Sequence, residues 1–235
     1  VMLLMTGHSD KINSIDVEWT EARVLSGSED KTVRLWDLST GHLIFEFCGH
    51  CGAVNCVAID WKMRRAVSGS DDAILRVWDL VHGESLYELG GHTDAVNCLA
   101  VDLRGFRAMS GCDNGVLCFW NLEAPCPELI RELVAESCYL THAHVETAVL
   151  SVAMNWDLRR ALSGHHDCSL RLWDLDLVSM LHVMKGHINQ VVCLAVDWDS
   201  AVAVSGGRDT TLRVWNLDTR EEMCVFRIHR GLVSP

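Results

Sequence analysis

Proline, long apolar runs and positive charge are all scarce in this sequence of 235 residues. It contains three prolines, and no apolar run approaches the roughly 18 residues of a transmembrane helix. Lysine and arginine number 20 against 32 aspartates and glutamates, so the formal net charge is −12. An acidic chain repels phosphate backbones and anionic lipid surfaces. We therefore expect neither nucleic acid nor a membrane as the main ligand.

A secretory leader and a disulfide framework are not indicated either. The apolar start, 1–5, lacks the basic segment and the cleavage site of a signal peptide. The 11 cysteines are odd in number, and the chain is too long for a small disulfide-stapled domain. We expect a protein of a reducing compartment, the cytosol (cytoplasm) or the nucleus. Because the first residue is Val1, we also expect an excised piece or a processed product.

An internal repeat dominates the sequence. Five tryptophans lie 42, 42, 53 and 42 residues apart, and each ends a segment of one type, from SGSEDKTVRLWDL to SGGRDTTLRVWNL. A histidine lies upstream of each segment, and 18 residues separate it from the segment's serine in four repeats and 19 in the fourth. Spacing this constant across unequal sequence indicates one structural unit copied five times.

Each unit carries four short runs rich in Val, Ile, Leu, Trp and Phe, separated by Gly, Asp, Ser and Asn. In the first unit we place them at about 12–17, 22–26, 32–36 and 43–47. Four short strands without room for a helix predict an antiparallel blade. One blade cannot bury both of its faces, so the predicted fold is all-β, a propeller of stacked blades.

The chain resembles the WD40-repeat family over nearly its whole length. A Gly-His pair opens four units, and Trp-Asp or Trp-Asn closes all five; the departures are Ala143 before His144, and Asn121 and Asn216 in place of the final Asp. The resemblance implies a single propeller domain over 1–235. Its complete repeats are expected at about 7–48, 49–90, 91–140, 143–185 and 186–228.

The chain ends and one long connection depart from the repeat. Residues 1–6 and 229–235 resemble the margins of a further blade, which favours a fragment of a larger propeller over a ring closed by five blades. An insertion at 123–140 contains Pro125 and Pro127, and its segment 128–136 is compatible with one or two helical turns. A tolerated surface loop is the simpler interpretation, and a binding appendage is the alternative.

Serine, histidine and aspartate recur together beside each repeat tryptophan. A hydrolytic triad needs a single pocket with an oxyanion hole, so five copies at a fixed period indicate a structural role and no catalytic residue. The resemblance implies hydrogen-bonded tetrads that run from Trp to Ser to His to Asp. They are His8, Ser26, Asp30, Trp36; His50, Ser68, Asp72, Trp78; His92, Ser110, Asn114, Trp120; His144, Ser163, Asp167, Trp173; and His187, Ser205, Asp209, Trp215. Since Asn114 replaces Asp, we expect the third blade to be the loosest.

No cofactor or metal is expected. Cys48 and Cys51 form the only C-x-x-C pair, and a structural zinc site normally has two. Cysteines that lie six residues after the repeat histidine fill one small-residue slot, which indicates packing: Cys56, Cys98 and Cys193. The alternative is an irregular metal or enzyme site built from His142, His144, His165 and His166. Four further tryptophans are expected to pack at the turn after the first strand: Trp19, Trp61, Trp156 and Trp198.

Partner binding is expected on one face of the propeller, where the loop residues differ from one repeat to the next. The resemblance implies these positions: Asp10, Lys11, Glu29, Asp71, Asp94, Asp113, His166, Asn189, Gln190 and Arg208. The set is acidic on three blades and neutral to basic on the last two, which predicts a protein or peptide partner with a basic segment; simple loop solvation is the alternative. We expect a non-catalytic interaction scaffold or adaptor, part of a larger chain or complex. A substrate receptor, or a regulatory domain that recognises phosphopeptides through Arg208, and a propeller enzyme are the other hypotheses.

Overall fold

The computed structural model describes residues 4–102, 107–122, 127–134 and 148–227, and within these ranges the chain forms twenty β-strands. They are β1 Ile12–Glu18, β2 Arg23–Ser28, β3 Val33–Asp37, β4 Leu43–Phe47, β5 Val54–Asp60, β6 Arg65–Ser70, β7 Leu75–Asp79, β8 Glu84–Leu89, β9 Val96–Asp102, β10 Arg107–Cys112, β11 Val116–Asn121, β12 Glu128–Val134, β13 Val149–Asn155, β14 Arg160–His165, β15 Ser169–Asp174, β16 Ser179–Lys185, β17 Val191–Asp197, β18 Val202–Gly207, β19 Leu212–Asn216 and β20 Glu221–Phe226. The described ranges hold no helix that is long and apolar enough to cross a membrane.

The strands form five four-stranded antiparallel sheets, one for each repeat. Within every sheet the strands lie in chain order, β1 to β4, β5 to β8, β9 to β12, β13 to β16 and β17 to β20. This order follows from successive hairpins, since each strand pairs with the strand before it. The predicted all-β class and the four-stranded unit are confirmed.

The register repeats as closely as the sequence does. Ile15 of β1 lies opposite Ser26 of β2, and Ser26 lies opposite Arg34 of β3. A β-bulge interrupts the first pairing between Ile12 and Ser14, and the equivalent bulge occurs in the second, fourth and fifth sheets. A bulge fixes register. The repeat serine therefore occupies the same place in each of these sheets.

The chain divides into two compact units, residues 1–108 with 120–130 and residues 109–119 with 131–235. In the first unit, the second sheet packs its apolar side chains against the first sheet. The buried members of that core are Leu25, Val33, Leu35, Phe47, Val54, Val57, Ile59, Ala66, Trp78 and Leu80. In the second unit, the fourth and fifth sheets pack in the same way. Its core is Leu162, Leu170, Leu172, Met184, Val191, Ala203, Trp215 and Leu217.

The outer strand of the third sheet lies inside the predicted insertion. Residues 128–134 form β12, which pairs at the edge of β11, so the helical interpretation of 128–136 is wrong for this part. Leu133 is buried, as are Phe47 and Leu89 at the same strand position. Burying this leucine outweighs the helix propensity of the neighbouring Glu, Leu and Arg residues.

Left-handed backbone recurs in the turns, and non-glycine residues often adopt it. The turn between the third and fourth strands uses Gly41 and Gly83, each at φ 75°, in the first two repeats. In the fourth and fifth repeats Val178 (φ 54°) and Arg220 (φ 64°) take that place. A β-branched residue is strained in this region because its Cβ substituents crowd the backbone.

Replacing Val178 with glycine is therefore expected to raise the free energy of unfolding by about 1 kcal/mol. The relieved strain exceeds the entropy that glycine adds to the unfolded chain. Urea unfolding of the Val178→Gly variant measures the change. Arg220→Gly is the matched control and should gain less, because arginine is not β-branched. A Val178→Gly variant less stable than the parent would contradict the expectation.

Candidate functional site

A chain of hydrogen bonds links the four tetrad residues of the second repeat. Trp78 Nε1 donates to Ser68 Oγ at 2.8 Å, and His50 Nε2 lies 2.7 Å from the same oxygen. The other ring nitrogen, Nδ1, lies 2.9 Å from Asp72 Oδ2. If Nδ1 carries the proton and donates to the carboxylate, Nε2 is free to accept from the serine hydroxyl. Each of the side-chain atoms named in this hydrogen-bond network then has a partner.

The first and fifth repeats have the same geometry. His8 Nδ1 lies 2.7 Å from Asp30 Oδ2, and His8 Nε2 lies 2.7 Å from Ser26 Oγ, which accepts from Trp36 Nε1 at 2.8 Å. The fifth repeat joins the same four atoms at closely similar distances, in His187, Ser205, Asp209 and Trp215. The structure thus brings together three of the predicted tetrads.

Burial keeps the imidazoles of His50 and His187 neutral. It lowers the pKa of His50 and of His187, and the facing carboxylates of Asp72 and Asp209 only partly oppose that shift. Burial by itself would raise the pKa of Asp209. Hydrogen bonds from Thr211, from the Ile188 N–H and from His187 outweigh it and hold that pKa at about 2. A neutral histidine beside an ionised aspartate fits the tautomer that the distances require.

The tetrad aspartate also fixes the loop that follows the repeat histidine. The N–H groups of Ser9, Cys51 and Ile188 donate to Asp30, Asp72 and Asp209 at 2.9–3.0 Å. Each of these residues directly follows its repeat histidine. The side-chain network is thereby coupled to the backbone of the loops that carry the predicted partner-binding residues.

In the fourth repeat, His165 contacts the tetrad serine. Ser163 Oγ accepts from Trp173 Nε1 at 2.8 Å, and Nε2 of His165 lies 2.7 Å from the same oxygen. His165 is fully buried. The repeat spacing predicts this role for His144, which lies outside the described residues, as does His142. His165 occupies the strand position that holds Ser28 in the first repeat and Ser70 in the second.

Asp167 of the fourth repeat is paired with an arginine. Its Oδ2 accepts from Arg171 Nη2 at 2.6 Å. In the first and second repeats the equivalent arginines, Arg34 and Arg76, pair with Glu46 and Glu88 of the outer strand. The outer-strand residue opposite Arg171 is Val183, and the buried guanidinium pairs with Asp167 instead of an outer-strand glutamate.

The tetrad predicted for the third repeat is divided between the two compact units, and it stays a prediction. His92 and Trp120 belong to the first unit, with ring centroids 6.0 Å apart. Ser110 and Asn114 belong to the second unit, where Asn114 Oδ1 accepts from the Val116 N–H at 3.1 Å. Burial lowers the pKa of His92 to about 4.

The predicted partner-binding residues of the first unit lie in loops held by a repeated backbone bond. The Glu29 N–H donates to the Lys11 carbonyl at 2.8 Å, and the Asp71 N–H donates to the Ala53 carbonyl at 2.9 Å. Lys11 Nζ lies 3.3 Å from Glu29 Oε1, and Asp71 accepts from Asn55 at 2.7 Å. Asp10 and Asp94 each accept from the next backbone N–H. The structure thus joins Lys11 to Glu29 and leaves Asp10, Asp71 and Asp94 exposed.

The same backbone bond recurs in the second unit. The His166 N–H donates to the Ala148 carbonyl at 2.9 Å, and the Arg208 N–H donates to the Gln190 carbonyl at 2.8 Å. Arg208 and Asn189 are exposed, whereas His166, Gln190 and Asp113 are half-buried. Ile188 is strongly exposed in the same loop as Asn189, although its repeat position gives no signal for partner binding.

The family follows from the sequence of the repeats. A profile described as "WD domain, G-beta repeat" matches residues 2–37, 41–79, 83–121, 136–174 and 178–216. The chain is a member of the WD40-repeat family. The predicted family and the propeller class are therefore confirmed.

Named relatives share single WD40 repeats with this chain. The probable E3 ubiquitin ligase complex SCF subunit sconB of Aspergillus terreus is 48% identical over 44 residues, 19% of this chain and 6% of that protein. The ribosome biogenesis protein BOP1 homolog of Drosophila grimshawi is 43% identical over 42 residues, 18% of this chain and 5% of that protein. The matched segments thus span a small fraction of those relatives.

A solved structure shares the fold of nearly the whole chain. The computationally designed Ika8 protein superposes with a TM-score of 0.79 and 24% sequence identity, covering 99% of this chain and 66% of that one. Identity at this level shows the shared fold alone.

The cysteines of these WD40 repeats differ in exposure. Cys48 and Cys51 are exposed and free. Cys56 and Cys98 are buried, and burial raises the pKa of the Cys56 thiol to about 12, so this thiol stays protonated and unreactive. Within the described ranges no group of three or more His, Cys, Asp or Glu side chains is arranged to hold a metal ion.

The four additional tryptophans do not share one environment. Trp61 and Trp198 pack against the two cores, and Trp156 stacks on Phe119 with ring centroids 5.1 Å apart. The guanidinium of Arg159 lies 3.5 Å from the Trp156 ring. Trp19 is 79% exposed, so the packing predicted for it is wrong.

Proposed function

We propose that this WD40 protein is a non-catalytic interaction scaffold that binds a basic segment of a partner protein on the loops of its first unit. The observation that carries the proposal is a set of acidic loop side chains. Asp10, Glu29 and Asp71 lie in loops fixed by the repeated backbone bond, and Asp94 accepts from the next backbone N–H. Fixed loops lose little conformational entropy when a partner binds. Exposed carboxylates attract a basic segment and speed its encounter.

The buried state of the tetrads supports a non-catalytic role. Ser26, Ser68, Ser163 and Ser205 are all buried, and each hydroxyl is already engaged by an indole and an imidazole. A serine nucleophile must reach a substrate carbonyl beside an oxyanion hole. These hydroxyls serve the stability of each repeat.

The relatives support an adaptor role within a larger assembly. The name of sconB describes it as a subunit of a ubiquitin ligase complex. By this likeness we propose that the present chain acts in a multiprotein complex of the cytoplasm or nucleus. Phosphopeptide recognition is the second candidate. Arg208 favours it as an exposed arginine on a loop held by its backbone bond to Gln190.

Charge removal on the first-unit loops tests the proposal. We expect the triple variant Glu29→Gln, Asp71→Asn and Asp94→Asn to bind lysine- and arginine-rich peptides about tenfold more weakly, because each exposed ion pair contributes about 0.2–1 kcal/mol. Fluorescence anisotropy with basic, neutral and acidic peptides measures this at low and high salt.

The double variant Asp199→Asn and Asp218→Asn is the control, since it removes exposed carboxylates of the second unit that lie outside these loops. It should bind like the parent. Equal loss in both variants, or no salt-dependent preference for basic peptides, would overturn the proposal. An Arg208→Gln variant assayed with phosphorylated peptides distinguishes the second candidate.

A further inference from the structure

One apolar interface occurs in both compact units. In the first unit, Leu25 and Phe47 of the first sheet are covered by the second sheet, which contributes Val54 and Val57. In the second unit, Leu162 and Met184 of the fourth sheet are covered by the fifth sheet, which contributes Val191. We call the covered side of a sheet, at the positions of Leu25 and Phe47, its front surface. The covering side, at the positions of Val54 and Val57, is its back surface.

The contact between the two surfaces is close. A methyl group added at Gly27 would lie 2.6 Å from Val54 Cγ1, and one added at Gly164 would lie 2.8 Å from Val191 Cγ1. The back-surface valine therefore sits directly on a glycine of the preceding sheet. The shape of one surface fits the shape of the other.

The front surface of the fifth sheet is open. Val204 and Phe226 are 37% and 45% exposed. The residues at these two strand positions in the other four repeats are all at most 5% exposed: Leu25, Val67, Met109 and Leu162, and Phe47, Leu89, Leu133 and Met184. The fifth repeat thus has apolar front-surface residues like the other repeats, but these residues are not buried by a following sheet.

The back surface of the first sheet is open as well. Ile12 and Ile15 are 50% and 63% exposed, and Trp19, which follows the same strand, is 79% exposed. The residues equivalent to Ile12 in the other repeats are fully buried: Val54, Val96, Val149 and Val191. Large apolar groups in one patch of a folded surface mark an interaction site.

From these two open surfaces we infer that a second copy of this chain covers them, the front surface of the fifth sheet in one copy packing on the back surface of the first sheet in the other. The two surfaces are the two halves of an interface that the chain already makes within each unit. A single kind of chain carries both halves, so a second copy supplies the matching surface for each. Such a head-to-tail contact is heterologous, and it gives a closed pair or a longer series of copies.

Sedimentation velocity over about two decades of protein concentration tests this inference. We expect the mass to rise with concentration from the 26.2 kDa of one chain to at least twice that value. A front variant, Val204→Asp with Phe226→Asp, and a back variant, Ile12→Asp with Ile15→Asp, should each remain a single chain. Circular dichroism and thermal unfolding establish that both variants are folded.

Mixing the two variants is the decisive step. Each retains one intact surface, so an equimolar mixture should form pairs that cannot grow further. Leu177→Asp is the control, because Leu177 is exposed outside both surfaces, and it should associate like the parent. A parent that stays a single chain at every concentration overturns the inference. So does self-association of either blocked variant, or a mixture that fails to pair.

Discussion

The Ser68→Ala variant is expected to lose about 2–6 kcal/mol of unfolding free energy. Ser68 is fully buried, and its hydroxyl serves both Trp78 Nε1 and His50 Nε2. Alanine fills nearly the same volume but leaves two buried polar atoms without a partner, and each costs about 1–3 kcal/mol. Chemical denaturation followed by tryptophan fluorescence measures the loss.

A double-mutant cycle separates this effect from general damage to the strand. Once Ser68 is alanine, Trp78→Phe should cost less than it does in the parent, because the indole N–H that it removes no longer has an acceptor. Ser85→Ala is the control, since Ser85 is exposed on β8 opposite Trp78, and it should change stability little. Independent costs for Ser68→Ala and Trp78→Phe would show that the hydrogen bond contributes nothing.

The sequence predicts the sheets well because the same pattern of apolar runs and turn residues occurs in each repeat. In the first repeat the predicted run at 12–17 becomes β1 Ile12–Glu18, and 43–47 is β4. Where a repeat is locally irregular the prediction fails, as it does for 128–136. The distance of 13 residues from Trp120 to Leu133, close to the 11 residues from Trp36 to Phe47, is the signal that identifies β12.

The tetrad of the fourth repeat shows a different limit. Spacing predicts His144, which lies outside the described residues, and it gives no signal for the contact between His165 and Ser163. Four histidines lie near this repeat in the sequence, and spacing does not report which ring reaches a buried hydroxyl. Arg171 pairs with Asp167, whereas the equivalent Arg34 and Arg76 pair with glutamates of the outer strand. That pairing is a tertiary property.

The candidate binding surface is predictable in part. Loop positions whose residue differs from repeat to repeat include Glu29 and Arg208. In the structure both lie on loops held by equivalent backbone hydrogen bonds. The exposure of Ile12, Ile15 and Trp19 is not predictable from their residue types, because equivalent apolar residues in the next repeat are buried or partly buried. Which sheet surface is covered depends on what packs against it.

Acidification is expected to destabilise the fold strongly, because the buried imidazole of His92 is neutral in the folded chain. Burial lowers the pKa of this imidazole from 6.5 to about 4. Between these two pH values the unfolded chain binds a proton that the folded chain does not, so stability falls as the pH is lowered. The shift corresponds to about 3 kcal/mol lost between pH 7 and pH 4. The buried, neutral imidazoles of His50 and His187 contribute in the same direction.

Urea unfolding of the parent and of His92→Gln at several pH values measures this contribution. The variant should be less stable than the parent at pH 7, but its stability should fall less steeply toward pH 4. His82→Gln is the control, because the hydrogen bond that His82 donates to the Asp79 carboxylate raises the pKa of this exposed imidazole. A raised pKa stabilises the fold at low pH, so removing His82 should leave the acid loss unchanged or slightly steeper. Equal slopes for the parent and His92→Gln would show that His92 does not titrate as a buried neutral base.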